Sequence, residues 1–246
     1  MLEQTKQQIA SLRLNGFLSA LEEQLREPPH HLSFEERLAL LVDREVLARD
    51  NQKLANRLKH ARLKQGVSIE QVNFQTARGL SKPQLLSLAS LSWVTLSRSI
   101  LITGPTGVGK TFIAQALAHK ACLSGFTARY YRLLPLMHDI VIAYREGNLQ
   151  RFLTGLSKYN VLIIDDFGML VMDAEQKRLL LEILEHRYEQ CSTIITSQLA
   201  IEDWYEYLND PLIADAFLDR IVHQAEKIVL AGESMRKLKD QSILHT

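Results

Sequence analysis

Eight consecutive residues, Gly104-Pro105-Thr106-Gly107-Val108-Gly109-Lys110-Thr111, fit the pattern G-x-x-x-x-G-K-T. Glycines let a backbone turn with its N–H groups pointing inward, which builds a concavity for an anion. The helix that follows such a loop adds the partial positive charge of its N-terminus. Lys110 can neutralise the β- and γ-phosphates of a nucleoside triphosphate, and Thr111 offers Mg²⁺ a hydroxyl. The eight residues therefore indicate ATP and Mg²⁺ as cofactors.

Two further groups carry chemistry of the same kind. Val161-Leu162-Ile163-Ile164 is continuously apolar and ends in Asp165-Asp166. Carboxylates at the C-terminal tip of a buried parallel strand stand beside the phosphate loop. There Asp165 would hold Mg²⁺, mostly through water, and Asp166 would polarise the attacking water. Alone, such a pair also fits a solvated turn. Thr193-Ile194-Ile195-Thr196-Ser197-Gln198 is another apolar strand with a polar end. If it lies between the other two strands, Thr196 or Gln198 reaches the γ-phosphate region; polar residues also end strands for no catalytic reason.

The elements that must position these groups alternate. Strands are predicted at 99–103, 128–132, 160–165, 192–196 and 227–231, with helices at 110–123, 134–144, 174–189 and 213–225. This alternation predicts an α/β fold, a five-stranded parallel sheet with helices on both faces. The first 66 residues carry no strand pattern. Leucines from Leu2 to Leu25 approximate a 3.6-residue period, Pro28-Pro29 stops that helix, and Ser33 with Glu36 forms a capping box for a second one, ended by Gly66. Ser81-Lys82-Pro83 starts another helix, over 80–91. The predicted domains are a helical N-terminal domain (1–66), a connector (67–98) and an ATPase domain (99–246).

Composition excludes several classes. At 46% hydrophobic and 23% charged the chain is ordinary for a soluble protein, and no apolar run spans a bilayer. The N-terminus is polar, unlike a signal peptide. Cys122 and Cys191 make no disulfide framework, which fits reduced thiols and a cytoplasmic location. The histidines show no metal-ligand spacing. Net charge is +1, yet Arg44 to Lys64 holds seven basic residues against Glu45 and Asp50. Lys53, Arg57, Lys59, Arg62 and Lys64 can neutralise a polyanion backbone; the same run also fits a solvated helix face.

The P-loop, the Asp-Asp strand end and the Thr-Ser-Gln strand end occur together with Asp219-Arg220-Ile221 and Gly232-Glu233-Ser234-Met235-Arg236-Lys237. In this combination the chain resembles the IstB-type transposition helper ATPases, AAA+ proteins similar to DnaC-type helicase loaders. The resemblance covers nearly the whole chain. It implies that Asp165 and Asp166 are the Walker B pair and Gln198 the sensor. Arg220 would be an arginine finger for a neighbouring subunit, and Arg236 a second sensor that binds nucleotide. It further implies duplex DNA and a transposase as partners, self-association with shared active sites, and slow ATPase turnover stimulated by assembly and DNA. Two departures stand out. Asp166 occupies a position where many AAA+ enzymes have Glu, and about ten residues follow Arg236, so the C-terminal lid is expected to be reduced or absent.

Three functions are compatible with these residues: an ATP-dependent, sequence-nonspecific DNA-binding regulator of transposition, a DnaC-like replicative helicase loader, and, more remotely, a P-loop metabolite kinase. The motifs are shared by the first two. The acidic pair beside a polar strand end suits water activation better than transfer to a metabolite.

Overall fold

The computed structural model describes residues 1–74 and 78–235. The chain divides into two compact units, Met1–Asn56 and Arg57–Thr246.

The first unit is helical: α1 (Leu2–Ser11), α2 (Asn15–Arg26) and most of α3 (Phe34–Ala61). The single helix expected before Pro28 is broken, because Arg13 takes a left-handed φ of 58° between α1 and α2. Gly16 permits the close packing of α2 on α3: a Cβ there would lie 2.6 Å from Ala48 Cβ and 2.7 Å from Arg44 O. Glu45 accepts from the N–H groups of Gly16 (2.8 Å) and Phe17 (3.1 Å), which the first turn of α2 cannot bond internally. The Arg49 hydrogen bond, then these N–H groups, hold its carboxyl below the usual carboxylate range. The predicted capping box is present, with Ser33 N donating to Glu36 Oε2 (2.7 Å) and Glu36 N to Ser33 Oγ (3.2 Å).

The second unit continues with α4 (Lys82–Ala89), α5 (Ser92–Thr95), β1 (Ile100–Thr103), α6 (Lys110–Leu123), β2 (Ala128–Arg132), α7 (Leu133–Arg145) and α8 (Leu149–Ser157). Then come β3 (Val161–Phe167), α9 (Ala174–Arg187), β4 (Ser192–Ser197), α10 (Trp204–Leu208), α11 (Pro211–Val222) and β5 (Glu226–Val229). The five strands are parallel in the order β2-β3-β4-β1-β5. The strand carrying Thr196 thus lies between the P-loop strand and the acidic strand.

Strand alternation divides the core. Ile100, Ile102, Val161, Ile163 and Ile194 pack with Ile113 and Leu117 of α6. Leu101, Leu162, Ile164 and Ile195 face the other way, against α7, α9 and α11. The expected connector is part of the first of these layers: Val67, Val72, Leu85, Leu88 and Trp93 are buried in it. Helix α3 ends at Ala61, five residues before Gly66, as Arg62 turns left-handed (φ 55°). Helix α8 was not foreseen from the sequence. Residues 236–246 lie outside the described residues, and with them the expectation of a reduced lid.

Candidate nucleotide-binding site

The loop leaves β1 at its C-terminal end. Gly104 N donates to Ser197 O (3.2 Å), extending the β1–β4 pairing into the loop. Gly104 has φ 142°, and a Cβ there would meet Leu230 O at 2.1 Å. Gly109 turns left-handed (φ 101°) to start α6. Lys110, 8% exposed, crosses the loop, and its Nζ donates to Gly104 O (2.7 Å) and Pro105 O (2.8 Å). Leu230 N bonds to Thr103 O (2.8 Å) and Met235 N to Gly107 O (2.9 Å), so the chain after β5 runs across the loop.

Asp165 is buried beside the start of α6 and accepts three hydroxyls. Thr111 Oγ1 lies 2.8 Å from Oδ1 and 3.0 Å from Oδ2, Thr196 Oγ1 2.5 Å from Oδ1, and Tyr130 Oη 2.7 Å from Oδ2. Asp166 stands in an irregularity of the β3–β4 ladder, where the register jumps between Ile164 and Phe167. The bulge gives it φ 64° and turns its N–H onto Thr196 Oγ1 (3.2 Å). Its carboxylate pairs with Arg132 Nε at 3.0 Å. The polar contact from β4 to Asp165 therefore comes from Thr196. Gln198 is exposed just beyond β4 and instead accepts from Thr106 Oγ1 (2.7 Å) on the loop.

Arg220 lies elsewhere. It shares a cavity with Ser99 and Thr193, at the N-terminal ends of β1 and β4, the edge of the sheet opposite the P-loop. Its Nη2 pairs with Glu185 of α9 at 2.7 Å, and its Nη1 donates to Ala216 O (2.9 Å). Arg236 lies outside the described residues.

The basic run is not a continuous helical stripe. Lys53 belongs to the first unit and pairs with Asp50 (3.1 Å). Arg57 donates to Cys122 O (3.1 Å), a structural use. Lys59, Arg62 and Lys64 are exposed, the last two beyond the end of α3.

Sequence reasoning missed three residues. Tyr130 reads as a strand residue, yet its hydroxyl reaches Asp165; burial, then that bond, raises its pKa. Arg132 follows two residues on, the strand spacing that brings it to the same face and to Asp166. Arg78 sits in the supposed connector, and its Nη1 donates to Val108 O (2.8 Å) in the loop. Only the pairing of Tyr130 and Arg132 at alternate positions was a legible signal.

The donors fit Mg²⁺. Thr111 and Asp165 place a hydroxyl and one carboxylate side by side, the hard oxygen set that Mg²⁺ shares with substrate phosphates. Among the described residues no group of three or more His, Cys, Asp or Glu forms a separate metal site. No helix there is long and apolar enough to cross a membrane.

The strand order, P-loop and acidic strand tip define a P-loop protein of the AAA+ class. Among solved structures the chain is similar to DnaI (TM-score 0.57, 19% identity, covering 67% of this chain and 91% of that one). It is also similar to the DnaC helicase loader (TM-score 0.55, 20% identity, 68% and 97%), a likeness of fold. The chain belongs to the family described as IstB-like ATP binding protein, which matches residues 7–242. It is 38% identical over 234 residues to the insertion sequence ATP-binding protein y4pL of Sinorhizobium fredii, covering 95% of this chain and 96% of that protein. It is 42% identical over 201 residues to the ATP-binding protein of insertion sequence IS1162 of Pseudomonas fluorescens, covering 81% and 87%.

Proposed function

We propose that this chain is an ATPase that assembles on duplex DNA without sequence preference and recruits or stimulates a transposase during transposition. The observation that carries the reading is a division of labour across the sheet. Lys110, Thr111 and Asp165 converge at one edge, while Arg220 stands at the other. An arginine so placed can reach a triphosphate only in a neighbouring protomer.

In this reading the loop amides and Lys110 bind the β- and γ-phosphates. Thr111 and Asp165 hold Mg²⁺, which supplies charge neutralisation on the phosphate oxygens when bound. Asp166 takes the proton of the attacking water, Gln198 orients the γ-phosphate region from its place on Thr106, and Arg220 of the next protomer stabilises the transferring phosphoryl group. Turnover then depends on assembly. Lys59, Arg62 and Lys64 are exposed cations offered to DNA phosphates. Transposition is supported by relatives at 38% and 42% identity that are named insertion sequence ATP-binding proteins. The loader likeness rests on fold alone.

The test is binding of duplex DNA of arbitrary sequence, measured with and without ATP–Mg²⁺ across a salt series. Affinity that rises with ATP and falls steeply with salt supports the reading. Binding indifferent to ATP, or unaltered in Lys110→Ala, overturns it.

A further inference from the structure

Arg78 is a cation that the scheme above leaves idle. It is 4% exposed, and its described partners are main-chain carbonyls: Nη1 donates to Val108 O and Nη2 to Asn73 O, each at 2.8 Å. Its Nε is buried without a hydrogen-bond partner. A guanidinium kept out of water in this way is costly unless it serves a neighbouring charge or holds a necessary geometry.

The contact with the loop has a directional consequence. In a trans peptide the C=O and the following N–H point in opposite directions. Arg78 holds the Val108 carbonyl, and with it the orientation of the Val108–Gly109 peptide, so the Gly109 N–H is set on the side away from the guanidinium. The fit is close, since a Cβ on Gly109 would lie 2.6 Å from Arg78 Nη1. The main chain of the same residue accepts from Ala231 N (2.9 Å), at the root of the segment that crosses the loop to Gly107. Arg78 thus ties the loop to the segment that lies across it.

We infer that Arg78 is a positioning residue for polyphosphate binding: it fixes the orientation of the Val108–Gly109 peptide and adds positive charge beside the loop. This inference rests on the reading of the loop as the nucleotide site. The ligand class is the di- or triphosphate of a nucleotide, because the group oriented is a main-chain amide of the phosphate loop.

The experiment is calorimetry of full-length Arg78→Gln and Arg78→Lys with ATP and with ADP, Mg²⁺ present, beside amide hydrogen exchange. Arg78→Gln should weaken both nucleotides about tenfold, the scale of one charge-assisted hydrogen bond. Arg78→Lys, which keeps the charge and a donor, should weaken them by roughly threefold. Exchange should accelerate over residues 104–112 and stay unchanged over β3 and β4. If Arg78→Gln does not fold, Arg78→Lys decides by the same two readouts. Binding within twofold of wild type, or exchange raised evenly through the sheet, overturns the inference. Wild-type protein that binds no ATP, or Lys110→Ala that binds it normally, instead overturns the reading of the loop itself.

Discussion

The hydroxyl of Tyr130, on the edge strand β2, donates to Oδ2 of Asp165 at 2.7 Å, opposite the Thr196 hydroxyl on Oδ1. The two neighbouring strands thus hold one carboxylate from both sides, and its rotation about the strand tip is fixed before any ligand arrives. Tyr130→Phe removes one hydroxyl and little else. It should lower stability by about 1–2 kcal/mol in urea unfolding. It should also raise the Mg²⁺ concentration required for tight ATP binding, with affinity restored at saturating Mg²⁺. An unchanged Mg²⁺ requirement in a titration would remove Tyr130 from the site.

Asp166 separates backbone from side-chain effects. Its φ of 64° lies in the left-handed region, which costs a residue with a Cβ, although Asp bears it better than most. Asp166→Gly should gain stability of about 1 kcal/mol through relief of that strain, less whatever the Arg132 pair contributes, while abolishing turnover. Asp166→Asn should lose turnover without the gain. Unfolding curves and phosphate release on both variants check this; equal stabilities would show that the strain is absent.

Phe167 links the acidic strand to the helix of Arg220. Its ring stacks on Phe217 of α11 at 5.3 Å and tilts against Trp204 at 4.6 Å. Phe217 precedes Arg220 by a helical turn. Phe217→Ala should cost about 3–5 kcal/mol by leaving a cavity, and at temperatures where it stays folded, assembly-dependent turnover should fall more than ATP affinity. Equal losses in the two assays would deny this route to Arg220.

Cys122 gives a pH signature. Burial pushes its thiol up to about 11 from an ordinary 9.0. Between these values the unfolded thiol ionises while the folded one keeps its proton, so stability declines as pH rises. The contribution is complete below pH 9 and is lost through pH 11, by about 2 kcal/mol. The stability difference between wild type and Cys122→Ala should shrink by that amount from pH 8 to pH 11 in denaturant unfolding.

Sequence reading succeeds where one short-range rule acts alone. The apolar runs of β3 and β4 identify buried strands, and Ser33 with Glu36 marks a helix start through contacts three residues apart. It fails where distant segments decide. The left-handed turn at Arg13 has no glycine to announce it. The segment around Leu85 and Trp93 looks like a linker because its hydrophobic face is completed only by α6 and the sheet. In the site, residue types and spacing indicate the phosphate loop and the acidic pair. The bulge at Asp166 arises from mismatched registers of two strands, and Arg78 meets the loop 30 residues away. Neither leaves a local trace.

Because the sheet is parallel, the edge holding Lys110 and the edge holding Arg220 cannot coincide. On the proposed reading each molecule therefore has a socket and a plug, and contacts run head to tail with a built-in polarity. An equal mixture of Lys110→Ala, with a dead socket, and Arg220→Ala, with a dead plug, should regain up to about a quarter of native turnover, since one junction in four unites the intact halves.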